Sequence, residues 1–217
     1  RSGFPKGTWN GGFVRTEINW REFAELGSRS IIAYRAHVGL VTEFGQLPLT
    51  PQSNRFFAGG ANSIRGWGVR EMLATRDDLG LPSGASDSTR RLLELLNLRN
   101  GGLGLLEFNV ELRYRLFAFP SGSSLAILND VLLIPFVDAG NAFFRDSEDR
   151  LPIVPNIGVA AGVSLGYNTP IGPIRGGVGV PVYDPVDLSL LTTRDRLIFN
   201  RKPLDLMVFH VGIGHAF

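Results

Sequence analysis

The sequence has no cysteine, only three histidines and no long hydrophobic run, and each scarcity removes a class of explanation. Without cysteine there is neither a disulfide framework nor a thiolate metal site; the absence permits an oxidising compartment without proving one. His37, His210 and His215 lack the spacing of metal ligands, so no metal and no cofactor is expected. No Ser-His-Asp set stands out, and Gly177-Val-Gly179 lies within a strand-like run, so it is no phosphate loop. An enzyme is therefore not expected. Twenty-two basic against 20 acidic residues leave a net charge of +2, too small an excess to argue for nucleic acid. The longest apolar run, Val131 to Val137, falls far short of the roughly 18 residues that a membrane-spanning helix needs. No signal peptide opens the chain, which begins Arg-Ser-Gly-Phe-Pro-Lys-Gly; an exported protein starting here is expected to be a mature form or a later piece of one.

What the 217 residues do contain is glycine (27), proline (13) and hydrophobic alternation of period two. One domain is the default at this length. Val14, Thr16, Ile18 and Trp20 alternate with Arg15, Glu17, Asn19 and Arg21, as side chains do across a strand. After a turn at Glu25-Leu-Gly-Ser28, Ile32, Tyr34, Ala36, Val38 and Leu40 alternate with Arg35, His37, Gly39 and Glu43, completing a hairpin. Leu106, Phe108, Val110, Leu112, Tyr114 and Leu116 face away from Glu107, Asn109, Glu111, Arg113 and Arg115. That run exceeds the usual strand of about 5–6 residues and matches a transmembrane strand of about 9–11. Further strands are expected over 131–144, 157–167, 174–183 and the C-terminal stretch, separated by a turn near Phe119-Pro-Ser-Gly122, a polar loop over 145–156, a tight turn at Asn168-Thr-Pro-Ile-Gly172 and a loop over 184–203.

The pattern is all-β: an antiparallel meander of about seven strands, with short turns at one end and long loops at the other, as in outer-membrane barrels. The apolar face could be the core of a soluble barrel or meet lipid, and alternation alone does not choose. Strand length and aromatics near strand ends (Trp20, Tyr34, Tyr114, Tyr167, Phe217) favour lipid.

One long insertion, residues 46–101, interrupts the meander. It holds Ser86 to Asn97, readable as a short capped helix or an ordered loop. It also holds Arg55-Phe-Phe-Ala-Gly-Gly-Ala-Asn-Ser-Ile-Arg-Gly-Trp67, which has neither strand nor helix periodicity. Gly59, Gly60 and Gly66 would let it fold back on itself.

Ile64-Arg65-Gly66-Trp67, preceded by Phe57-Ala-Gly-Gly60, resembles the signature loop of the BamA/TamA outer-membrane barrel-assembly superfamily. Phe136-Val-Asp-Ala-Gly140 and Val110-Glu-Leu-Arg113 resemble the family's aspartate- and glutamate-bearing strands, and Gly172-Pro-Ile-Arg175 its turn into the penultimate strand. Phe4-Pro-Lys-Gly7 resembles a barrel-strand entry. The resemblance implies that Arg65 pairs in the lumen with Glu111 and Asp138, anchoring the loop. Read from the residues alone, Glu111 could equally balance Arg113 or Arg115. The ending His210-Val-Gly212-Ile213-Gly-His215-Ala-Phe217 resembles the family's C-terminal β-signal, departing from it at His215. Alternation places Phe209, Val211, Ile213 and Phe217 on one face, and His215 means either a histidine turned to lipid near the membrane interface or a weaker signal. Glycines would weaken this last strand, as a lateral gate requires, though a plain closing strand of a barrel reads nearly as well.

The resemblance implies an integral protein of the bacterial outer membrane that inserts other barrel proteins at a seam along its C-terminal strand. Its expected partners are membrane lipid, nascent outer-membrane proteins, and periplasmic substrate-binding domains or accessory proteins. The alternative is a two-partner-type secretion pore exporting an unfolded client; a third is a soluble lipid-binding barrel. Family barrels have about sixteen strands, so about seven imply a C-terminal portion, with another barrel portion or subunit needed to close the wall.

Overall fold

The computed structural model of the chain describes residues 11–45, 50–72, 101–143, 157–170, 172–184 and 207–217. Period-two alternation becomes seven strands in one antiparallel sheet: β1 (Gly11–Gly27), β2 (Ser30–Gly45), β3 (Gly104–Arg115), β4 (Val131–Phe143), β5 (Gly158–Thr169), β6 (Gly172–Tyr183) and β7 (Val208–Ile213). Their order in the sheet is their order in the sequence, each strand pairing with the next. Among the described residues, β1 and β7 do not pair with each other, so the sheet stays open.

Partners across an antiparallel ladder point to the same face, so register decides which side chains share an environment. Ile18 pairs with Val38, Val38 with Leu106, and Val110 with Val137, which carries one apolar face across four strands. This outer face is exposed, and Trp20 and Tyr34 meet on it edge to face with ring centroids 5.4 Å apart. Arg35, Asn109, Asp138 and Ala160 are linked by the same ladders on the inner face. There the burial is reversed: the polar residues are covered and the apolar face opposite is bare. An exposed apolar face of this extent is what lipid, rather than water, accommodates.

Residues 50–72 cover the inner face. The segment is bridged to the start of β3 through Phe56 and Gly102, and closes on itself through Ala58 and Met72. Its apolar side chains Phe56, Ile64, Trp67 and Met72 pack with Val41, Leu105, Ala142 and Ala160 from the sheet, forming the main core.

Several expectations change in detail. The first turn falls at Ser28–Arg29, because β1 continues to Gly27 with a bulge after Glu25. The β3–β4 connection contains a 3-10 helix, Ser124–Asp130, whose start is capped by the Ser123 hydroxyl accepting from the Leu125 amide; proline and glycine just before it had suggested only a turn. The helical reading of Ser86 to Asn97, the polar loop over 145–156 and nearly all of the 184–203 loop lie outside the described residues.

The C-terminus departs most. β7 stops at Ile213, and Gly214 takes a φ of +92°, a left-handed conformation open to glycine. Its amide donates to the Pro173 carbonyl at 2.7 Å. Past this bend strand alternation no longer applies. Phe217 does not share the outer face with Phe209, Val211 and Ile213; it turns inward, is only 7% exposed, and packs on Ala33 of β2. Its ring lies under the Arg35 and Arg113 guanidinium groups, at 5.6 and 5.9 Å. His215 likewise does not face lipid: it lines a cavity on the inner side with Arg113 and Asn168.

Candidate functional site

The site begins with the backbone of the loop. Gly59 and Gly60 adopt φ of +98° and +105°, and a Cβ at Gly59 would lie 2.4 Å from the Gly68 carbonyl oxygen, so the chain can double back only with glycine there. The Gly60 amide donates to the Trp67 carbonyl at 3.0 Å, and the Gly59 amide to the Ser63 hydroxyl at 2.9 Å. Ile64 and Trp67 then face the core, and Arg65 between them faces the wall of β3 and β4.

Arg65 is 1% exposed, Asp138 is fully buried and Glu111 is 2% exposed, and the structure brings the three together. Arg65 Nε and Nη2 donate to the two Asp138 oxygens, each at 2.8 Å, in a fork-to-fork pair. Nη1 donates to Glu111 Oε2 at 2.9 Å, and the Arg65 backbone amide reaches Asp138 Oδ2 at 2.9 Å. The guanidinium also lies 3.6 Å from the ring centroid of Phe136. Burial alone would lower the pKa of Arg65, but the hydrogen bonds and charges of Asp138 and then Glu111 outweigh it, raising the pKa above its ordinary value. The loop therefore carries a permanent cation into a site built for one. Geometry of this kind, with each guanidinium nitrogen donating to a carboxylate, is what makes a buried ion pair tolerable.

Glu111 also accepts from Arg113 Nε at 2.7 Å, so the sequence alternatives for Glu111 hold together: it receives both arginines.

Around this cluster lies a second layer that sequence reasoning did not single out. Asn109 donates to Asp138 Oδ1 and to the Ser63 carbonyl, both at 2.8 Å, joining wall to loop. Arg35 donates to Asn109 Oδ1 at 3.0 Å and to Glu107 Oε2 at 2.7 Å; Glu107 in turn accepts from the Ser63 hydroxyl and contacts His37 Nδ1. The signal was present, since Glu107, Asn109, Glu111 and Arg113 recur every second residue on one face of β3. Nothing in that spacing says which of them meets a loop 44 to 46 residues away.

The last two strands hold the loop differently, through its carbonyls. Arg175 Nη2 of β6 donates to the Ala61 carbonyl at 2.7 Å and also to Asn62 Oδ1. His210 Nε2 of β7 meets the Arg65 carbonyl oxygen. Glycines make room for this seating: a Cβ on Gly179 would sit 2.0 Å from the Arg65 carbonyl oxygen, and one on Gly66 would sit 2.6 Å from the Ala160 Cβ. Gly212 and Ile213 pair with Arg175 and Ile174 at the end of β7, and among the described residues His210 is the C-terminal residue named from sequence that hydrogen-bonds the loop.

Among the described residues, no group of three or more acidic or histidine side chains could hold a metal ion. What the arrangement does is lock a loop onto a sheet by charge at one side and by backbone contacts at the other.

The comparisons with known proteins bear on this geometry. No curated protein matches the sequence. Among solved structures the chain is similar in fold to BamA from Haemophilus ducreyi lacking POTRA domains 1-3, at 19% sequence identity and a TM-score of 0.54. The match covers 78% of this chain and 32% of that one, so the chain spans about a third of the BamA chain's length. The Omp85 superfamily domain matches residues 2–217. With a loop-bearing antiparallel barrel wall and a family match over nearly all of its residues, the chain belongs to the Omp85 superfamily.

Proposed function

We propose that this chain is barrel wall of an outer-membrane protein that inserts other β-barrel proteins into the bacterial outer membrane, working at the edge of β7. The observation that carries the reading is the condition of that strand. β7 has six residues where β1 has 17, and its outward side chains Phe209, Val211 and Ile213 are 80–81% exposed. Its far edge has no partner among the described residues. An unpaired edge offers a row of amides and carbonyls to an incoming strand, and strand addition needs no covalent step. The partners of this reading are lipid at the outer face, nascent outer-membrane proteins at the seam, periplasmic substrate-binding domains or accessory proteins, and a further barrel portion or subunit beyond β1.

The test is site-specific photocrosslinking in cells, with the chain in its native full-length context and the probe at Val211 or Ile213. Adducts to several nascent outer-membrane proteins are expected. Silence at both positions, with a single exported client captured from the inner-face position Asn19, would replace the insertase with a secretion pore. Deleting residues 50–72 would sharpen the distinction, because a pore should then conduct freely.

A further inference from the structure

At the turn end of the sheet the inner face carries cations that the loop anchor uses only in part. Arg29 from the β1–β2 turn and Arg113 and Arg115 from β3 line a cavity of about 350 Å³, which His215 borders from the C-terminal tail. A neighbouring cavity of about 350 Å³ shares Ser28, Arg29 and Arg115 and extends to Pro120 and Asn129, so the two form one trough. Its lining includes a single carboxylate, Glu25, against three arginines.

These arginines are short of acceptors. Among the described residues, Arg29 and Arg115 have no side-chain ion pair. Arg113 is more telling, because its side chain is only 9% exposed. Its Nε donates to Glu111, and its Nη2, 2.7 Å from the same oxygen, lies out of line with it and is buried without a hydrogen-bond acceptor. A buried donor left unused is destabilising, more so when the group is charged, and an acceptor entering the cavity would relieve it.

We propose that this trough binds an acidic peptide segment, its carboxylates received by Arg29, Arg113 and Arg115 and its hydrogen-bonding groups by the Ser28 and Ser30 hydroxyls. Guanidinium forks match carboxylates two bonds at a time and are more weakly hydrated than ammonium groups. Two joined cavities accommodate an extended chain better than one small ion. Placement separates peptide from lipid: Arg113 pairs with Ile31, and Arg115 with Leu132, all on the inner face, while Tyr114 and Leu133 present the opposite face outward. A bilayer headgroup lies on the wrong side of the sheet. In an outer-membrane barrel the short-turn end faces the periplasm, so the trough would meet a segment arriving from that side. The site does not depend on the insertase reading, since a secretion pore would present the same trough.

The test uses the closed barrel, this chain in its native full-length context with the portion or subunit that completes the wall, in neutral detergent micelles, with fluorescein-labelled hexaglutamate followed by anisotropy at low salt. The double variant R29Q/R115Q, changed at two exposed positions, should weaken binding at least tenfold while heat-modifiable migration on a gel reports an intact barrel. R21Q, on the inner face of β1 outside the trough, should bind as the parent does. Hexaglutamine should not bind, and added salt should release hexaglutamate. Unchanged affinity in R29Q/R115Q overturns the proposal. So does displacement of the peptide by inorganic phosphate, or by micelles doped with phosphatidylglycerol, at equal charge concentration, which would make this a small-anion or lipid site.

Discussion

β3 and β4 at the centre of the sheet and β7 at its edge follow the same alternation, yet they sit in different worlds. Glu107, Asn109, Glu111 and Asp138 on the central strands are at most 2% exposed, because a loop lies over them and fills their hydrogen bonds. β7 is six residues long, touches that loop through His210, and leaves its outer side chains bare. A strand's stability here comes less from its own residues than from what covers its inner face. The centre is held by ladders on both sides and by the charged and apolar side chains of residues 50–72, and the edge by one ladder and the contact of His210 with the Arg65 carbonyl.

The sharpest way to break this contrast is Arg65→Ala. It leaves Asp138 and Glu111 buried without their shared cation, a loss of about 3–5 kcal/mol for a broken buried pair. The urea midpoint, followed by tryptophan fluorescence in detergent, should fall sharply, and amide exchange in β3 and β4 should rise toward that of β7. An unchanged midpoint would mean the loop is held by its apolar residues alone.

Gly179→Ala tests the seating by shape. The new methyl would collide with the Arg65 carbonyl oxygen, since its position lies 2.0 Å away on backbone that cannot swing aside. Overpacking of this kind costs about 1–3 kcal/mol. Faster proteolysis within residues 50–72 is the expected reading, with the outer face of the sheet unaltered.

His210→Ala is the smallest and most local. Loss of one hydrogen bond is worth about 0.5–1.5 kcal/mol, so exchange of β7 amides should quicken by up to roughly tenfold. β1 and β2, paired along almost their full lengths, should not respond. A uniform rise across all strands would show that His210 supports the whole barrel rather than its edge.

How much of this was readable beforehand varies with the range of the interaction. Strand faces were legible at Leu106 to Arg115 because neighbours alone set them. The Arg65–Glu111–Asp138 grouping came from the likeness of Ile64-Arg-Gly-Trp67 to a family motif; local chemistry alone left Glu111 open between Arg65 and its neighbours Arg113 and Arg115. Asn109 and Glu107 gave the right face but no hint of their partner Ser63, 46 and 44 residues away in the β2–β3 connection, and Arg35 gave none of its own partners Asn109 and Glu107 on the next strand. Phe217 was misplaced because one residue with positive φ, Gly214, resets the alternation that had been extended through it.

The sequence by itself determined the all-β meander, the two faces of each strand and the glycine-rich loop, since side-chain period and backbone freedom are properties of adjacent residues. Only the tertiary structure decided that the charged face would be the buried one, that His210 and Arg175 would grip the loop by its carbonyls, and that Phe217 would turn in beneath two arginines. Those outcomes depend on groups brought together across the sheet, where charge, burial and the room left by Gly179 and Gly66 act at once.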